Sequence, residues 1–179
     1  MDFLVKNQMM ITFNKKPLRF RTQYYPGKVD VDTASNLYAI LESETDWQTG
    51  IKSRGVETRK AYSCSTFLIT SDIDLSVTTL VSDIISKIDL GGDYAIAGIY
   101  LNYYRNGNDW TPNHRHSGTV QMIISLGATR TLDIASKSYV MENGDVIVFG
   151  SSLHGVKKDP SVTDGRISIA VFLQPITIQ

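Results

Sequence analysis

A chain of 179 residues has the length of one domain with a full hydrophobic core. Lysine plus arginine equal aspartate plus glutamate at 18 each, which excludes the global basic field that marks many nucleic-acid binders. No run of about 18 apolar residues exists to span a membrane, and MDFLVKNQMM lacks the pattern of a secretory signal. Cys64 is the single cysteine, so no intramolecular disulfide forms, and a reducing cytoplasm is the expected location.

In chain order, residues 1–30 carry six basic side chains (Lys6, Lys15, Lys16, Arg19, Arg21, Lys28) against Asp2 and Asp30. Lysines of this kind discourage pairing at an edge strand, and a phosphate-contacting strip is the other reading. MITFNKKPLRFRTQYY alternates as a strand or hairpin broken at Pro17. A helix follows to about Glu44, capped by Asp32 or Thr33, with Leu37, Ile40 and Leu41 as its apolar stripe and Trp47 packed beneath it. A second helix is predicted within 74–89 from Leu75, Leu80, Ile84, Ile85 and Ile88, ended by Gly91 and Gly92.

From residue 94 the pattern turns to short strands: YAIAGIYLNYY, TVQMIISLG, TRTLDIAS, KSYVM, GDVIVFG and RISIAVFLQ. The Asn143-Gly144 pair predicts a tight hairpin turn. Helices first and strands later give an α+β class, with the helices buttressing an antiparallel sandwich or jelly roll. One domain covers 1–179, with residues 1–93 as an N-terminal extension, lid and supporting helices, and 94–179 as the jelly-roll core.

The chain contains three histidines, two of them in DWTPNHRH (109–116). Residues i and i+2 of a strand share a face, so His114 and His116 can reach one ion; alone, such a pair is also common as turn decoration. His154 follows the strand GDVIVFG, which a jelly roll can place beside the strand bearing the pair. Imidazole suits iron, zinc, copper and nickel alike. Arg166 opens the last strand, where a guanidinium can hold a carboxylate with two parallel bonds. Together these residues suggest iron with a dicarboxylate co-substrate.

With those residues in place, the sequence resembles the AlkB family of iron(II)- and 2-oxoglutarate-dependent dioxygenases. The resemblance runs through Asn102-Tyr103-Tyr104-Arg105-Asn106-Gly107, His114, Ser125-Leu126-Gly127-Ala128-Thr129-Arg130, Gly144-Asp145-Val146, His154-Gly155-Val156 and Gly165-Arg166-Ile167-Ser168-Ile169, in the family's order. Arg59-Lys60-Ala61-Tyr62 is similar to the start of the family's substrate-facing lid. The resemblance implies a double-stranded β-helix, with His114 and His154 as catalytic iron ligands and Asn102, Tyr104 and Arg166 holding 2-oxoglutarate; His116, in the place of the family's aspartate, is expected as the third ligand. It implies O2-dependent oxidation of an alkyl group on a nucleobase, in nucleic acid or a nucleotide, as in repair or modification of DNA. A flipped base would stack on Tyr62, Phe67 or Trp110. The expected protein is a monomer without a membrane partner.

Three positions depart from the family. The His-x-Asp metal motif reads His114-Arg115-His116, which raises the charge of the site by one unit and can favour zinc, copper or nickel. Asp109 is a conceivable replacement ligand. Phe172 stands where the family carries a further arginine, and Ser117-Gly118 replace acidic residues that some members use to read a base. A catalytically silent metal- or ligand-binding module, or an oxygenase of a protein or metabolite, are the alternative readings.

Overall fold

In the computed structural model, residues 19–66, 69 and 71–176 are described. Most of the predicted N-terminal strand, three of the six basic residues and Phe67 lie outside those bounds. The described N-terminal stretch opens with β1 (Gln23–Tyr25) and α1 (Val31–Glu44), followed by β2 (Gln48–Ser53), β3 (Val56–Cys64) and α2 (Asp72–Ser86). Eight strands complete the chain: β4 (Tyr94–Tyr104), β5 (Thr111–His114), β6 (Val120–Gly127), β7 (Arg130–Ile134), β8 (Lys137–Met141), β9 (Val146–Phe149), β10 (His154–Val156) and β11 (Arg166–Pro175).

The strands form two sheets. One has seven strands in the order β1-β9-β6-β11-β4-β3-β2, the other four in the order β5-β10-β7-β8. All pairings are antiparallel. This is the jelly roll of an α+β chain, a double-stranded β-helix, as expected. Strands from the first half join the same large sheet, since β3 pairs with β4 and β1 with β9.

The large sheet is covered on both faces, which explains why β6 reads as the unbroken run VQMIISLG rather than an alternating one. Its outer face meets α1 and α2 in a core that includes Leu37, Leu41, Val77, Val81, Leu101, Ile124 and Ile169. Its inner face meets the small sheet through Ile123, Leu132, Met141, Ile147 and Phe149.

Several local expectations are corrected. The cap of α1 is Asp30, not Asp32 or Thr33: its backbone is extended and its carboxylate accepts the Thr33 N–H at 2.9 Å. Asp32 sits instead in the first helical turn, where its charge complements the helix dipole. Ile40 is exposed, and the buried stripe is Ala34, Leu37 and Leu41. In α2 the phase is set by Ile73, Val77, Val81 and Ile84, so Leu75, two residues beyond Ile73, turns outward at 53% exposure. That helix begins at its Ser71 cap and ends at Lys87, ahead of Gly91.

The Asn143-Gly144 turn is not a hairpin turn. It carries the chain from β8 in the small sheet to β9 in the large one. Gly144 has φ 91°, and a Cβ there would lie 2.3 Å from the Val29 carbonyl oxygen, so both the turn and the segment before α1 require glycine. Asp145 fastens the same corner, accepting bonds from the Gly27 N–H (2.7 Å) and the Glu142 N–H (2.8 Å).

Candidate metal and co-substrate site

His114 is the last residue of β5, and His154 the first of β10; the two are direct partners across the antiparallel pair. The strand beside the histidine pair is thus β10, not the preceding GDVIVFG strand. Gly155 allows this approach, because a Cβ at that position would lie 2.4 Å from Asn113 Oδ1. His116 lies beyond the end of β5, so the pair straddles a strand end rather than sharing a strand face. The turn brings it back, and one ligating atom from each of the three histidines falls within 4.8 Å of the others. Among the described residues this is the one cluster of its kind.

Hydrogen bonds fix the chemistry of two rings. Nδ1 of His114 lies 2.9 Å from the Pro112 carbonyl oxygen, and Nδ1 of His154 lies 2.9 Å from that of Ser152. A carbonyl accepts only from N–H, so each Nδ1 carries a proton, and in the neutral ring the lone pair is left on Nε2. Burial pushes the pKa of His154 down to about 4, and burial followed by the charge of His114 lowers that of His116. Neutral imidazoles are what a metal requires.

The cluster opens into a cavity of about 600 Å³ between the sheets. At the other end lies Arg166, paired across the sheet with Tyr104 and Gly127 and 1% exposed. Its Nε donates to Ser125 Oγ at 2.9 Å, and its guanidinium lies over the Tyr104 ring, 5.3 Å from the centroid. Both terminal nitrogens are buried without a partner. An arginine left in that state costs several kcal/mol unless an anion meets it. Among the described residues, the lining includes Arg59 and Arg166 but no carboxylate. A cavity with a buried two-pronged donor at one end and three imidazoles at the other fits a divalent metal together with a dicarboxylate.

Asn102 and Tyr104 both line this cavity. Asn102 Oδ1 accepts from Arg59 Nε at 2.8 Å, and the Tyr104 hydroxyl pairs with Thr111 Oγ1 at 2.7 Å. Tyr62 does not line it. Strand periodicity turns Arg59 and Ala61 inward and Tyr62 towards the helices, where its hydroxyl donates to Asp74 at 3.2 Å. Trp110 also lies outside, with Lys158 Nζ 4.1 Å from its ring centroid. Asp109 is held by the Arg105 guanidinium through two 2.8 Å contacts, apart from the histidines.

Among the cavity residues, Tyr100 escaped the sequence reading, and Phe172 entered it only as a departure from the family pattern. Tyr100, 47% exposed, and Phe172 meet edge to face with centroids 5.5 Å apart. Their signal was the inward parity of β4 and β11, which emerges only once Asn102, Tyr104 and Arg166 are known to face the cavity. Arg130 was visible only as part of a motif. It is buried and donates to the carbonyls of Asn106, Asp109 and Lys157, tying the loops that follow β4 and β10.

No family model matches the sequence, and no curated protein matches it. Solved structures do match in fold. An oxidoreductase of the 2OG-Fe(II) oxygenase family from Burkholderia pseudomallei has a TM-score of 0.63 at 14% identity, over 86% of this chain and 85% of that one. A prolyl hydroxylase from Trichoplax adhaerens, in complex with a hypoxia inducible factor oxygen degradation domain peptide fragment, has a TM-score of 0.61 at 13% identity, over 86% and 83%. The structure of OsALKBH1 has a TM-score of 0.60 at 15% identity, over 87% and 99%. The fold is that of the 2-oxoglutarate–iron(II) oxygenases.

Proposed function

We propose that this chain is a non-haem iron, 2-oxoglutarate-dependent dioxygenase that oxidises an alkyl group on a nucleobase, in nucleic acid or in a nucleotide. The observation that carries the reading is Arg166, buried with two unpaired donors at one end of a cavity whose other end gathers three histidines. His114, His116 and His154 would hold the metal. Arg166 would hold the far carboxylate of the co-substrate, with Tyr104 and Asn102 lining its path.

Iron(II) with bound 2-oxoglutarate supplies oxygen activation, coupled to loss of carbon dioxide from the co-acid. The chain's own residues do the positioning. The Pro112 and Ser152 carbonyls keep the Nε2 lone pairs of His114 and His154 aimed inward. Apolar walls from Ile123, Leu132, Val156 and Ala170 limit water around the reacting groups. Tyr100 and Phe172 offer aromatic surface at which a planar base can dock. The structural likeness to OsALKBH1 over nearly all of that chain supports the AlkB-like assignment.

Anaerobic addition of iron(II) and 2-oxoglutarate should produce a metal-to-ligand charge-transfer absorption band, and Arg166→Leu should abolish it. Wild-type protein without a band, or a band indifferent to residue 166, contradicts the proposal. His116 in place of a carboxylate favours a second reading, a silent binding module on the same scaffold. Succinate formed on addition of alkylated nucleotides separates the two, because a binding module forms none.

A further inference from the structure

The wall beneath the histidines carries a side chain that the site has not yet used. Gln121 on β6 pairs across the sheet with Phe172 on one side and Phe149 on the other. The Phe172 ring lies 4.8 Å from that of His116, and the Phe149 ring 4.9 Å from that of His154. Gln121 thus sits between two residues that each touch a candidate ligand. It lines the cavity at 1% exposure, and its Nε2 is buried without a partner. Thr119, two residues earlier and also lining the cavity, has its Oγ1 buried without a partner.

A primary amide within an otherwise apolar stretch is destabilising if its donor stays unpaired. Such a group is retained when an oxygen acceptor meets it. The cavity therefore has two unfilled polar ends, Arg166 and the pair Gln121 and Thr119. Because Arg166 Nε reaches Ser125 Oγ, its guanidinium has already run along β6 towards Gln121. Ser125 and Gln121 are about 13 Å apart at ~3.3 Å per residue. The reach of the two side chains leaves room between guanidinium and amide for a short diacid.

Resting on the dioxygenase reading, we propose that Gln121, assisted by Thr119, holds the second carboxylate of the 2-oxo diacid, the one next to its keto group. Charge favours a neutral donor there. Three imidazoles leave the charge of a divalent metal uncompensated by the protein, so the carboxylate nearest to it needs orientation rather than another cation. Phe172 keeps the facing position on β11 uncharged.

The test compares 2-oxoglutarate with levulinate, which keeps the keto group and the carboxylate for Arg166 but has a methyl in place of the other carboxylate. Binding is measured by calorimetry with anaerobic iron(II)-loaded protein, for wild type and Gln121→Leu. The variant should weaken 2-oxoglutarate about 10-fold or more and leave levulinate within about 2-fold, as expected for one lost hydrogen bond to a charged group. Equal weakening of both acids, or unaltered 2-oxoglutarate binding, overturns the assignment. Gln121→Glu keeps size and polarity but repels a carboxylate; it should weaken 2-oxoglutarate further and again spare levulinate, and it carries the comparison should the leucine variant not fold. Wild-type protein that does not bind 2-oxoglutarate overturns the dioxygenase reading and this assignment with it. Wild-type binding indifferent to residue 121 overturns this assignment alone.

Discussion

At the scale of single residues, the proposed metal site turns on His116. An anionic ligand stabilises the higher charge states of iron, and a neutral imidazole in its place gives that up. The surroundings match a neutral ring: burial lowers its pKa, Phe172 meets it edge to face, and none of the described residues lining the cavity is a carboxylate. His116→Ala should reduce metal affinity by more than about 100-fold, since loss of an outer-shell partner alone costs about 10–100-fold. Calorimetric titration of metal-free protein with iron(II) measures this, and unchanged affinity would make His116 a bystander. The three histidines were legible in the sequence because that residue type is scarce here, and Arg166 because it opens the last strand shortly after His154. Gln121 was not legible, since a glutamine in an apolar strand shows nothing until its missing partner is seen.

Among the elements, the loop from β4 to β5 is held by a set of polar contacts centred on Asp109. Asp109 receives the Arg105 backbone N–H and its guanidinium, while Arg130 bonds the carbonyl of Asp109. Burial tends to raise the Asp109 pKa, but the bonds from Arg105 outweigh it and the net shift is downward. A folded pKa below the unfolded value of about 3.9 stabilises the protein fully above roughly pH 4, and the contribution is lost as pH falls through the lowered value. Asp109→Asn should therefore be about 2 kcal/mol less stable near neutral pH, the scale of a hydrogen bond to a charged group. The gap should close as acid protonates the wild-type carboxylate. Urea unfolding at intervals from pH 6 to pH 2 reads both effects; a gap constant across that range contradicts the pairing. The long strands β4, β6 and β11 were plain from their β-branched and apolar runs. The short strands β5 and β10 were not, because TPNH and HGV have no strand pattern of their own and are held by each other and by β7.

For the whole molecule, the sequence reading separates an extension, 1–93, from a jelly-roll core, 94–179. The packing makes the second dependent on the first. Leu101, Ile124, Leu126, Ile167 and Ile169 are fully buried in the core that the large sheet shares with α1 and α2. A polypeptide of residues 94–179 would expose that entire apolar face. It should show no cooperative unfolding transition by circular dichroism in urea, whereas the intact chain should. A cooperative transition in the fragment would make the helices an appendage rather than half of the core.

By itself, the sequence determined the α+β class, the two helices, the long strands after residue 94, and the histidine and arginine set on which the candidate site depends; β2 and β3, between the helices, were not read from it. These are properties of local periodicity and of residue chemistry, and they survive without knowledge of what packs where. Only the tertiary structure decided that His114 and His154 face each other across a strand pair, and that the Asn143-Gly144 turn joins two sheets. It also decided that Tyr62 looks away from the cavity while Tyr100 and Phe172 look into it. Each of these depends on strand register, where a shift of one residue exchanges the two faces of a sheet. Register is set by contacts between residues distant in sequence, which no local pattern encodes.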